Sequence, residues 1–138
     1  MRTVVLVAML LGAASMAQAQ NQTPGLSIEL NTVAEANGGC QLTFVANTGF
    51  ENGVEKAVFE TVLFDKTGAV NCLTLFDFDA IPAGRPRVRQ FVLPELACAD
   101  LGQILINGVN TCEAPGIESD ACAAGLSVSS RINVELIV

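Results

Sequence analysis

The chain has 138 residues, a formal net charge of −7 and no His, Trp or Tyr, and each of these facts removes a class of function. Without His, the Ser-His and Cys-His nucleophile pairs and the usual catalytic zinc sites cannot be built. No segment is basic enough to follow a phosphate backbone, so nucleic acid is not an expected partner, and the Trp and Tyr platforms that usually stack bases or sugars are missing.

The N-terminal stretch reads as an address. Arg2 precedes an apolar run from Val4 to Ala14, and the small-x-small sequence Ala17, Gln18, Ala19 follows, which is the pattern of a cleaved secretory signal. A membrane-spanning helix wants about 20 apolar residues and a stop-transfer flank, and this run offers neither. Residues 1–19 are therefore expected to be removed, leaving 20–138 as one domain with no membrane span. Arg2 is not part of a twin pair and no Cys lies at the cleavage point, so general export without a lipid anchor is expected, to the periplasm or beyond. The roughly 119 remaining residues suit one hydrophobic core. Asn21, Gln22 and Thr23 spell a glycosylation sequon at the new terminus, which is weak evidence by itself.

From Leu26 onward apolar residues recur with period two, punctuated by Gly, Asn, Asp or Pro about every dozen residues. Leu26, Ile28 and Leu30 form one face of a first strand that ends before Asn37. Cys40, Leu42, Phe44 and Ala46 do the same in a second. A third strand, Glu55 to Asp65, is apolar on both faces and belongs in the centre of a sheet. The turn Asp65 to Gly68 leads into a fourth, Ala69 to Phe78, as a hairpin. Pro86 to Leu93 makes a fifth, suited to an edge because of its proline. Glu95 to Gly102 is a corner, too short to nucleate a helix. Gln103 to Cys112 is the sixth strand, with a bulge expected at Asn107 and Gly108. Alternation from Leu126 to Leu136 marks the last. The pattern predicts an all-β protein, a two-sheet antiparallel sandwich of about seven strands, immunoglobulin- or fibronectin-like in plan, with an up-and-down barrel as the alternative.

The central residues Asn47, Gly49, Val58 to Leu63, Phe64, Asp65, Gly68 and Val70, then Ile81 to Gly84 ahead of Phe91 and Leu93, resemble the FxLYD-type extracytoplasmic β-sandwich modules of bacteria. The whole chain is also similar to small exported proteins of alphaproteobacteria. The resemblance covers about half of the mature chain, and it implies a fold and no activity. Five cysteines and an arginine-rich fifth strand depart from the module pattern.

Cys40, Cys72, Cys98, Cys112 and Cys122 in an exported chain favour disulfides over zinc, and about fifteen arrangements of two bridges and one thiol are possible. If successive strands alternate in direction, Cys40 and Cys98 stand near strand starts at one end of the sandwich. Cys112 closes the sixth strand at the other end, next in sequence to Cys122. The favoured pairs are Cys112 with Cys122 and Cys40 with Cys98. Cys72 is left as the free thiol, an inert buried hydrophobe or, alternatively, a reactive group.

Three further features invite a ligand. Arg85, Arg87 and Arg89 recur at every second position and could clamp carboxylates or phosphates, although charged protection of an edge, or pairing with Glu60, Asp65, Asp77 or Asp79, explains them more simply. Asp77 and Asp79 could offer oxygens to calcium but lack an EF-hand spacing. Glu113, Glu118 and Asp120 sit in the loop that a Cys112–Cys122 bond would close, where sandwiches often carry recognition. No catalytic constellation, cofactor site or metal site is expected. The sequence is read as a monomeric, non-catalytic binding module for a protein or envelope component; a Cys72-dependent redox protein and a subunit joined by strand exchange are the other two readings.

Intact-mass measurement of the exported product is expected to place its first residue at Gln20. A product retaining Met1 to Ala19 would contradict the export reading.

Overall fold

The computed structural model describes residues 24–138. Eight strands form two four-stranded sheets that enclose one core. In chain order they are β1 (Leu26–Ala36), β2 (Gly39–Thr48), β3 (Val54–Asp65), β4 (Val70–Ile81), β5 (Arg87–Leu93), β6 (Leu101–Glu113), β7 (Ser127–Ser130) and β8 (Glu135–Ile137). One sheet has the order β5-β2-β1-β7 and the other β4-β3-β6-β8. A short 3-10 turn, Cys98–Asp100, occupies the predicted corner, and a four-residue helix, α1 (Ala121–Ala124), precedes β7.

Alternation decides what is buried. Leu26, Ile28 and Leu30 of β1 and Cys40, Leu42, Phe44 and Ala46 of β2 all turn inward and lose their solvent contact. Each such aliphatic side chain contributes about 1.5–3 kcal/mol of transfer free energy. β3 lies between β4 and β6, and its Ala57, Phe59 and Leu63 on one side and Val58 and Val62 on the other are buried, as a central strand requires. Its hairpin with β4 turns at Asp65, whose carboxylate accepts the Thr67 hydroxyl (2.6 Å) and the Thr67 and Ala69 amides (2.9 and 3.1 Å). Those donors, the Thr67 hydroxyl first, hold the Asp65 carboxyl below its ordinary range. The β3–β6 register shifts between Glu60 and Thr61, where Asn107 is the extra residue.

The last predicted strand is in fact two. Leu126, Val128, Ser130, Ile132 and Val134 are partly buried and Leu136 is fully so, and the intervening residues are exposed, so the facing is as the alternation requires. The ladder nevertheless breaks. β7 pairs parallel with β1, and β8 pairs parallel with β6 in the other sheet. Between them the chain crosses from sheet to sheet, with the Arg131 amide donating to the Leu30 carbonyl (3.0 Å) and the Ser130 hydroxyl accepting the Ile132 amide (3.3 Å) and donating to the Val134 carbonyl. A period of two reports which way a side chain points, and a crossing chain keeps that period. The parallel start of β7 depends on contact between two glycines: a Cβ on Gly25 would lie 2.0 Å from the Gly125 carbonyl oxygen.

Two disulfides brace this frame. Cys40, at the start of β2, is joined to Cys98 in the corner (Cα–Cα 4.8 Å), and Cys112 in β6 is joined to Cys122 in α1 (6.0 Å). The first closes a 58-residue separation and the second a separation of 10. Chain entropy alone assigns them about 4 and about 2.7 kcal/mol. Denaturant titration is therefore expected to find the Cys40→Ala/Cys98→Ala variant less stable than the Cys112→Ala/Cys122→Ala variant, the more so because Cys40 is also a buried core residue.

Candidate functional site

The two lateral sides of the sandwich are closed in different ways. On one, the crossing between β7 and β8 covers the gap between the sheets. On the other, β4 and β5 are both edge strands, one from each sheet, and among the described residues no segment runs between them along their length. They pass each other antiparallel: Phe91 stacks on Phe76 with ring centroids 4.3 Å apart and planes 6° from parallel, while Arg89 lies level with Phe78 and Ala80.

Phe76 and Phe91 belong to a larger aromatic cluster. Phe44 packs against both rings (5.8 and 5.9 Å) and against Phe78 (5.6 Å), and Phe78 meets Phe59 edge-on at 5.4 Å. The stacked pair is thus the outer face of the core itself. Beside it, towards the Pro94–Leu96 turn, the seam opens into a groove of about 680 Å³, lined by Cys72, Thr74, Phe76, Gln90, Phe91 and Glu95 among others. One end of this groove is fixed covalently, because the turn leads into Cys98 and its bond to Cys40. Glu95 in that turn has φ of 66°, a left-handed conformation held by the surrounding fold.

The arginine row divides. Arg89 donates through Nε to the Phe78 carbonyl (2.6 Å) and through a terminal nitrogen to the Ala80 carbonyl (2.9 Å). It therefore spans the seam from β5 to the free edge of β4 and occupies two acceptors that would otherwise be open to a foreign strand. Arg87 donates only to its neighbour Pro86, and Arg85 is exposed. None of the three forms an ion pair with Glu60, Asp65, Asp77 or Asp79 among the described residues, so cross-strand neutralisation does not explain the row.

Asp77 and Asp79 are engaged in structure. Lys56 lies 2.7 Å from Asp77 and 3.9 Å from Asp79, and a second Asp77 oxygen accepts the Asp79 amide (2.8 Å). The Lys56 hydrogen bond, then the Asp79 amide, hold the Asp77 carboxyl below its ordinary range. No cluster of three acidic, Cys or His side chains suited to a metal occurs among the described residues. Glu113, Glu118 and Asp120 lie exposed around the Cys112–Cys122 loop, apart from the seam.

Cys72 carries the free thiol and faces inward on β4, partly buried against the core and lining the groove. Burial pushes this thiol up from its ordinary pKa, which favours the protonated form. What the sequence did not reveal is the outward face of the seam. Val70, Leu73 and Leu75 on β4 and Val88 and Val92 on β5 are 50–61% exposed. They are five of the seven large apolar side chains that stand exposed among the described residues, the others being Ile117 and Val138. The alternation of Leu73, Leu75 and of Val88, Val92 was visible, but it cannot say that both strands are edges on one side.

No family model and no curated protein matches the sequence. Among solved structures the chain is similar to IrmA from Escherichia coli, with a TM-score of 0.56 and 15% identity over 77% of this chain and 92% of that one. That likeness concerns the fold. The two disulfides are compatible with an oxidising, extracytoplasmic compartment, and no helix among the described residues is long and apolar enough to cross a membrane.

Replacing Arg89 by Met keeps the aliphatic stem and removes both cross-seam hydrogen bonds. This change is expected to lower stability by about 1–2 kcal/mol, at the low end for charged donors because the group is only partly buried. It should also speed hydrogen exchange at the Phe78–Ile81 end of β4. Unchanged exchange there would show that the clip does not hold the seam.

Proposed function

We propose that the protein is an exported, non-catalytic binding module of the cell envelope that engages an extended polypeptide along the β4–β5 seam. The observation that carries this reading is the concentration of exposed apolar side chains on two edge strands that flank one groove. Soluble sandwiches usually blunt such edges with charge, proline or short length. Here the charged clip guards only the Arg89 end. Along Asn71–Phe76 the β4 edge faces the groove, and a polypeptide laid beside it gains main-chain hydrogen bonds and pockets for alternate side chains.

The export leader read from the sequence and the two bonded cysteine pairs support placement in the periplasm or outside the cell. The resemblance of the central strands to FxLYD-type extracytoplasmic modules points the same way. A redox role for Cys72 is less well supported, since its burial favours the thiol over the nucleophilic thiolate.

A photo-reactive amino acid placed at Leu73 is expected to give a polypeptide adduct in cells exporting the protein, whereas the same probe at Ser129, on the opposite edge in β7, gives none. Absence of an adduct at Leu73, or equal yields at both positions, would overturn the seam as the interaction surface. Thiol titration of the native, oxidised protein is expected to leave Cys72 unreacted until denaturant is added. A single fast-reacting thiol would instead favour the redox reading.

A further inference from the structure

We infer that the polypeptide the seam receives carries a cationic side chain, Lys or Arg, directly beside a run of apolar residues, and that this cation docks on Glu95 and Asp100 at the turn end of the groove. This rests on the reading of the seam as an interaction surface and names the chemistry of its occupant. The groove accounts for the apolar part. A strand laid along Asn71–Phe76 shares both faces of β4. On the outer face its side chains neighbour Leu73 and Leu75, and on the inner face they lie over Cys72, Thr74 and the Phe76–Phe91 stack. From Asn71 to Phe76 β4 offers no charge on either face, so this length selects uncharged, mostly apolar partners.

The two ends of that run differ in charge. At the clip end Lys56 lies 2.7 Å from Asp77 and 3.9 Å from Asp79, and Arg89 adds its own attraction to Asp77, so two cations offset two anions. The turn end has no such balance. There the groove passes Glu95 into a second depression of about 270 Å³, and Asn71, Glu95 and Leu96 line both. Asp65, Glu95 and Asp100 line this depression with Lys66 as the single cation. The Asp65 carboxylate is engaged by Thr67 and Ala69 in its own turn. Those of Glu95 and Asp100 form no ion pair among the described residues, and neither does Lys66. Both free carboxylates stand on a fixed frame: Leu96 is buried, Cys98 is bonded to Cys40 and donates its amide to Glu35 (2.9 Å), and the Asp100 carbonyl accepts the Lys66 amide (3.1 Å). A cation arriving with its apolar neighbours in the groove meets acceptors without breaking an internal pair, and an anion in its place is repelled.

Selection from a displayed library of short random peptides, run against the mature, oxidised protein, tests this. The wild type is expected to enrich peptides in which Lys or Arg adjoins an apolar run, and the Glu95→Lys/Asp100→Lys variant to enrich Asp or Glu in that place. Because the whole chain is acidic, Glu118→Lys/Asp120→Lys is the control: it changes the net charge equally, away from the seam, and should keep the basic preference. A basic preference that survives Glu95→Lys/Asp100→Lys, or that the control abolishes, overturns the proposal. For a synthetic peptide taken from the wild-type selection, Glu95→Gln/Asp100→Asn is expected to raise Kd about fivefold to tenfold with an unchanged far-UV spectrum. Added salt should weaken this peptide's binding to the wild type and have much less effect on that neutral variant. Should the Lys-bearing variant misfold, the neutral pair and the salt dependence take its place, and an unchanged Kd with no salt effect overturns the docked cation. Peptides enriched without charge preference that still cross-link to a photo-reactive residue at Leu73 remove the cation and leave the seam as a binding surface. Basic peptides that cross-link equally at Leu73 and Ser129, or no enrichment at all, overturn both readings.

Discussion

Two sheets facing one core must be closed at both sides, and among the described residues the backbone closes only one. A sandwich buries the inward residues of every strand, but its lateral gaps are lined by the same core side chains. At the β7–β8 side the main chain itself crosses, and Ile132 and Val134 plug the gap as it does so. At the β4–β5 side the plug is the Phe76–Phe91 stack and the bridge is a single guanidinium. The exposed apolar strip, the groove and the half-buried thiol all follow from that difference.

The disulfides act on the same asymmetry. Cys40 of β2 pairs opposite Leu93, the last residue of β5, so its bond to Cys98 ties the outgoing turn to the strand beside the one it has just left. The open groove consequently has a rigid end wall, with Glu95 held in a left-handed conformation within it. The Cys112–Cys122 bond secures α1, from which β7 departs next to β1, and so supports the laced side. One covalent bond serves each side.

Much of this was legible in the residues. Strand existence, the central position of β3, the β3–β4 hairpin, the bulge at Asn107 and the inward facing of Leu126 to Leu136 follow from local alternation and turn chemistry, which are properties of neighbouring residues. The division into β7 and β8 was not, because alternation is blind to which sheet a segment pairs with. The arginine row shows the same limit. Its spacing places Arg87 and Arg89 on one face, yet that Arg89 ends on backbone carbonyls of β4, and not on any of the chain's abundant carboxylates, depends on the distance between two sheets. The seam was likewise hidden, since Leu73, Leu75, Val88 and Val92 become a patch only when two edges come to the same side.

The free thiol illustrates how placement decides chemistry in such a seam. In an oxidising compartment an exposed, low-pKa cysteine would be captured as a mixed disulfide, and an odd cysteine is a hazard. Two features of β4 bear on this at Cys72. Its side chain points to the inner face with Thr74 and Phe76, where partial desolvation raises its pKa, while the residues beside it, Asn71 and Leu73, take the exposed positions. A one-residue slip of β4 against β3 would expose the thiol and bury Leu73 in its place. The Asp65 turn and the Lys56–Asp77 ion pair, at the two ends of the hairpin, both oppose that slip, so Asp77, one of the two carboxylates that suggested calcium, instead helps to hold the strand in register.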